Sequence, residues 1–172
     1  MIGLTTKKPL FTFFLCGVLF FYFDASFAQP QLPQRTLTLT PTQSLNFGTL
    51  SVTGSSGGTV TVGYDGSRTS TGNIALLSIL PHPQVAIFEI KICQGRNVII
   101  SFSPSITLTG SYGDQMTLDL GPTDRGPNGV SFMANADCNF VSILRIGGTL
   151  HVPGTAHEGT YSGSFNLTLN QE

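Results

Sequence analysis

The sequence predicts an all-β protein, folded as a β-sandwich behind a leader that is removed. Three observations carry this expectation. Short segments of alternating apolar and polar residues recur along the chain between clusters of Gly, Pro, Asp and Asn, the period-two pattern of half-buried strands. No segment shows the i, i+3, i+4 spacing of an amphipathic helix. Charged residues are 10% of the chain while Thr, Ser and Gly abound, and the regular alternation separates such a composition from that of a disordered segment.

The leader comes first. Lys7 and Lys8 precede a nearly unbroken apolar run over residues 10–23, and Ser26-Phe27-Ala28 places small residues before a cut. That is the layout of a secretory signal peptide, assigned to residues 1–28. The run falls short of the roughly 20 residues that span a bilayer, and Leu15 before Cys16 does not fit a lipid-anchored N-terminal cysteine. Residues 29–172 then form one domain with room for a core, divided into an N-terminal stretch with a short strand (29–44) and a sandwich (45–172). Removing Lys7, Lys8 and Asp24 leaves six basic and eight acidic residues without a basic cluster, which is not the balance of a nucleic-acid binder.

Pro30 and Pro33 mark an exposed start. Residues 35–40 alternate as a strand that Pro41 stops, with Leu37 and Leu39 on one face. Residues 44–52 follow, with Leu45 and Phe47 on one face and Gly48 breaking the parity. Residues 54–58 are a loop. Residues 59–62 and 68–71 flank Asp65-Gly66, a strong hairpin signal. Residues 74–80 are apolar and short, fitting either a strand or a core-packed connection, and end at Pro81. Residues 85–92 form the clearest central strand, with Phe88, Ile90 and Ile92 opposite Glu89 and Lys91. Strands are further expected over 98–102, 106–109, 116–120, 130–136, 143–146 and 148–152, with a loop over 121–129. The stretch 159–172 closes the pattern as one strand, with Gly159, Tyr161, Gly163, Phe165, Leu167 and Leu169 on the apolar side.

About ten short strands at this length favour an immunoglobulin-like Greek-key sandwich. Cys93 and Cys138 remain after cleavage. In an oxidising compartment they imply one disulfide, closing a 46-residue loop and worth about 4 kcal/mol by chain entropy. Trp is absent and Cys93 lies on the Glu89/Lys91 parity, so the bridge is expected to tie a strand end to a loop.

The stretches Leu45-Asn-Phe-Gly-Thr-Leu50, Gly58-Thr-Val-Thr-Val62 and Asp65-Gly-Ser-Arg68, with Gly148-Thr-Leu-His-Val152 and Gly159-Thr-Tyr-Ser-Gly163, resemble the opening and close of the bacterial domain-of-unknown-function 4402 family. The resemblance spans residues 45–170. It implies a secreted protein related to spore-coat-U-like and fimbrial adhesin-type sandwiches, and it implies no assigned activity. The closing stretch is also similar to the end of chaperone–usher pilins, which carry Gly fourteenth from the end and Tyr next to last; Gly159 holds the first position and Gln171 stands at the second.

Chemistry is sparse. His151, His157 and Glu158 lack the spacing of a helical zinc pair. Asp114, Asp119 and Asp124 recur every five residues without the closing Glu of an EF-hand loop, so turn chemistry accounts for them and no metal or cofactor is assigned. No GxSxG elbow is present, and the chain is not expected to be an enzyme. Tyr64 and Tyr112 sit at turn tips. The first functional expectation is a structural or adhesive module of a Gram-negative cell surface, outside the cell or in the periplasm, assembled by strand complementation with Leu37 and Leu39 as the donated side chains. Its partners would be further copies or other surface subunits, and a periplasmic chaperone. The alternative is a self-contained secreted module that recognises a glycan or host protein through loops 54–58 and 121–129; residues 35–40 are then its own first strand.

Overall fold

The computed structural model describes residues 36–92, 97–133 and 137–171. The leader, its cleavage site and Cys93 lie outside the described residues. Thirteen strands follow in order: β1 (Leu37–Gln43), β2 (Leu50–Val52), β3 (Gly58–Val62), β4 (Arg68–Gly72), β5 (Ile74–Leu76), β6 (Ala86–Ile92), β7 (Asn97–Phe102), β8 (Ser105–Gly110), β9 (Gln115–Thr123), β10 (Ser131–Met133), β11 (Val141–Val152), β12 (Tyr161–Ser162) and β13 (Leu167–Gln171). Every ladder is antiparallel. The largest sheet runs β1-β6-β11-β9-β8-β12, with β3 also on β11 and β4 on β3. A second sheet runs β10-β7-β13, and β2 pairs with β5. This all-β arrangement is consistent with a β-sandwich. Among the described residues no helix is long and apolar enough to cross a membrane.

The period-two pattern decides which side chains go inward. Ile90 and Ile92 from β6, Val98 and Ile100 from β7, Leu118 and Leu120 from β9, and Leu144 and Ile146 from β11 share one buried cluster. The outward positions between them, such as Lys91, Asp119 and Arg145, are exposed. Burial of this alternating set is the main drive to fold.

Several element boundaries differ from the sequence expectation, each for a physical reason. Pro41 does not end β1, which continues to Gln43 with a register shift between Pro41 and Gln43. β1 is an edge strand, where a residue without an N–H is tolerated. Residues 143–146 and 148–152 are one strand, β11, not two. Gly147 and Gly148 read as a break, yet both are needed because neighbours pass so close: a Cβ on Gly147 would run into the Val62 carbonyl, and one on Gly148 would stand 2.9 Å from the Asp119 carbonyl oxygen. β9 extends through Gly121-Pro122 to Thr123, with an extra residue opposite β11 between Ile146 and Gly148. Gly121, at φ +96°, supplies the backbone such a bulge requires. Residues 74–80 yield only the three-residue β5, and Leu77, Ile79 and Leu80 beyond it are exposed.

The closing stretch is two strands, not one. β12 pairs with β8 in the large sheet, and β13 pairs with β7 in the second. The chain changes sheet at Ser162-Gly163-Ser164. A Cβ on Gly163 would lie 2.7 Å from Leu108 Cδ2, so the crossing passes directly over β8.

Candidate functional site

A groove of about 1330 Å³ lies above the inner face of the large sheet. Alternate residues of four strands build its floor: Ala86 and Phe88 from β6, Ile106 and Leu108 from β8, Met116 and Leu118 from β9, Leu150 and Val152 from β11. None of these side chains carries a polar group, so the floor can bury apolar atoms. Phe165, from the crossing between β12 and β13, meets Phe88 edge to face, 6.0 Å between centroids at 71°, a favoured aromatic geometry.

One wall is residues 43–54, including β2. Among the described residues β2 has a ladder on one edge, to β5, so its other edge is open to further pairing. This wall is fixed firmly. Asn46 and Gln84 exchange two backbone hydrogen bonds of 2.8 Å. Arg68 donates to the carbonyls of Thr49 (2.7 Å) and Leu77 (3.2 Å). Burial pulls the Arg68 guanidinium below its ordinary value, and its Nε is buried without a hydrogen-bond partner among the described residues.

The other wall is residues 154–165. Its middle is fastened to the β8–β9 turn. His157 Nδ1 lies 2.5 Å from Asp114 Oδ2, and the His157 backbone N–H donates to the same oxygen at 3.3 Å. Ser111 Oγ accepts from the Thr160 N–H at 3.0 Å and donates to the Thr160 carbonyl at 3.3 Å. Tyr161 donates to the His157 carbonyl at 2.9 Å. The hydrogen bond from His157 holds the Asp114 carboxyl below its ordinary 3.8. Desolvation, then the Asp114 charge, raises the Tyr161 phenol above 10.0.

The three aspartates spaced by five are thus not one cluster. Asp114 pairs with His157, Asp119 with His151 at 2.7 Å, and Asp124 with Arg145 at 3.3 Å. Among the described residues no group of three or more His, Cys, Asp or Glu could hold a metal ion. His151 and Asp119 are exposed on β11 and β9, and nothing in the sequence pattern showed that these two strands are neighbours.

The remaining sequence-chosen residues are scattered. Leu37 and Leu39 face Ile92 and Ile90 across the β1–β6 ladder of their own chain. Gly159 lies in the second wall, Tyr161 in β12, Phe165 in the crossing, and Leu167 and Leu169 in β13 opposite Phe102 and Ile100. Cys138 lies in the turn before β11. Tyr64 and Tyr112 are exposed at hairpin tips, Tyr112 at 78%.

No curated protein and no solved structure matches the chain. The family described as Domain of unknown function (DUF4402) matches residues 37–170, a span that runs from the first strand to the last and includes both walls and the floor of the groove. The chain is a member of that family.

Proposed function

We propose that this chain is an exported structural or adhesive module of a bacterial surface, which associates by accepting an extended segment of a neighbouring subunit into its groove. The observation that carries this reading is the groove itself, an apolar floor beside a strand, β2, whose second edge has no ladder among the described residues. An incoming segment of alternating residues would pair its backbone with β2 and place every second side chain on the floor, which is recognition by strand addition. Leu77, Ile79 and Leu80 support association further: they form an exposed apolar run, Leu80 at 75%, and Leu77 also lines the groove. Such patches mark interaction surfaces.

The finer reading of the fold is an immunoglobulin-like Greek key. It is supported by the passage of the chain out of the large sheet after β1, β4, β6, β9 and β12. The Cys93–Cys138 disulfide belongs to the same reading. Lys91 is opposite Val141 where β6 meets β11, and the two cysteines lie two residues after the one and three before the other. A periplasmic chaperone would shield the groove before assembly.

The test is periplasmic expression of the whole chain, followed by size exclusion and an unheated SDS gel. A ladder that collapses on heating is the expected result. A single monomer with one cooperative melt overturns strand addition and turns attention to loops 54–58 and 121–129.

A further inference from the structure

The floor of the groove is apolar and its greater part is covered: Met116 is 6% exposed, Leu118 4%, Leu150 4% and Val152 2%, while Phe88 and Ile106 are half-buried. A segment that reaches the covered part has to displace a wall. The two walls are not equally free to move. Residues 43–54 are held by the β2–β5 ladder, the Asn46–Gln84 bridge and the Arg68 guanidinium. Residues 153–160 belong to no strand. One backbone bond closes a turn within them, Ala156 N–H to the Pro153 carbonyl at 3.1 Å. Among the described residues their other polar fastenings go to two side chains of the β8–β9 turn, Asp114 and Ser111, and to the Tyr161 hydroxyl at the start of β12. Asp114 Oδ2 takes both the His157 ring nitrogen and the His157 backbone N–H.

The ends of this segment are anchored by packing. Gly154 sits so close to the 54–57 loop that a Cβ would overlap the Ser55 carbonyl, and Gly163 crosses Leu108 at similarly close range. A segment pinned at both ends and held in the middle by exposed polar bonds is the kind that opens locally while the core stays folded.

We propose that residues 153–160 are a movable strap over the groove and that the Asp114–His157 pair is the latch that holds it down. This deepens the strand-addition reading by naming the wall that moves, and it rests on that reading for its purpose. Opening the strap would uncover Leu150 and Val152 at the end of β11, the part of the floor from which the strap itself departs. Asp114 acts through His157 and is a positioning residue.

Hydrogen exchange on the exported chain tests this, comparing wild type with Asp114→Asn at neutral pH. Losing a charge-assisted bond that serves two donors should speed exchange in residues 155–160 by about tenfold, with β6 and β11 unchanged. Unchanged rates in 155–160, or a rise shared by all strands, overturns the latch. Should Asp114→Asn fail to fold, His157→Gln removes the same pair from the strap side and carries the same two outcomes. The readout does not depend on oligomers. A protein that stays monomeric while its strap loosens keeps the latch and loses strand addition; one that forms ladders with an unmoved strap does the reverse.

Discussion

Asn128 shows how much one side chain can replace. Its amide donates to the Phe102 carbonyl at 2.7 Å and its carbonyl oxygen accepts from the Phe102 N–H at 3.0 Å, so it serves the end of β7 as a further strand would. Asn128→Ala should leave both backbone groups of Phe102 unpaired and cost about 1–3 kcal/mol in urea unfolding; a loss within 0.5 kcal/mol of zero would show that water replaces the amide. The exposed carboxylates act differently. Hydrogen bonds from His157 and His151 hold Asp114 and Asp119 below 3.8 in the folded chain. A depressed folded value gives stability that is present above the unfolded value of about 3.9 and is lost as pH falls through the folded one. Melting temperature should therefore drop below about pH 4 through these groups, and the Asp114→Asn, Asp119→Asn double variant should show a shallower drop. The sequence revealed the turn role of Asp65, whose Oδ1 accepts from the Ser67 N–H and hydroxyl, because that contact spans two residues. It could not reveal the Asp–His pairs, which join residues 43 and 32 apart.

At the scale of elements, alternation located most strands and failed where glycine means closeness instead of a turn. Gly147 and Gly148 lie in mid-strand because β3 and β9 crowd β11 from both sides. Gly147→Val should disrupt the β11–β3 ladder and destabilise the domain by about 1–3 kcal/mol, measurable by calorimetry; an unchanged melt would mean that β3 can withdraw. The same ambiguity hid the sheet change at Gly163, since the apolar parity from Tyr161 to Leu169 runs on without interruption through two strands. β1 carries its own prediction. Leu39 is half-buried against the core opposite Ile90, so Leu39→Asp should lower the melting temperature of the monomer itself, because the charge is partly desolvated without a partner. Loss of multimers with an unaltered melt would instead return Leu39 to the role of a donated side chain.

The whole molecule holds what no local pattern could supply. Each floor residue of the groove lies in a stretch that the sequence marked as a strand, but an apolar floor and an apolar core look the same in one dimension. The difference lies in what covers them. The exposed run of Leu77, Ile79 and Leu80 was likewise read as apolar without any sign that it would face outward. Ile79→Asp with Leu80→Asp should reduce self-association in sedimentation while leaving the melt within about 0.5 kcal/mol of wild type, as surface changes do. A lowered melt would show that these side chains are packed in solution. If the Cys93–Cys138 bridge forms, reductant should cost about 2–5 kcal/mol; mass spectrometry without reduction would detect it directly.

β11 has a consequence in time. It joins β6 over its first half and β3 over its second, with β9 along the other edge, and the Thr61–Thr149 contact closes 88 residues. Until residues 141–152 are available, β3, β6 and β9 each have a neighbour on one edge alone, β4, β1 and β8 respectively. Contacts of such long separation form slowly, and the waiting strands expose unpaired edges prone to aggregation. A nascent chain cut off before residue 141 should therefore remain soluble only while something else holds it.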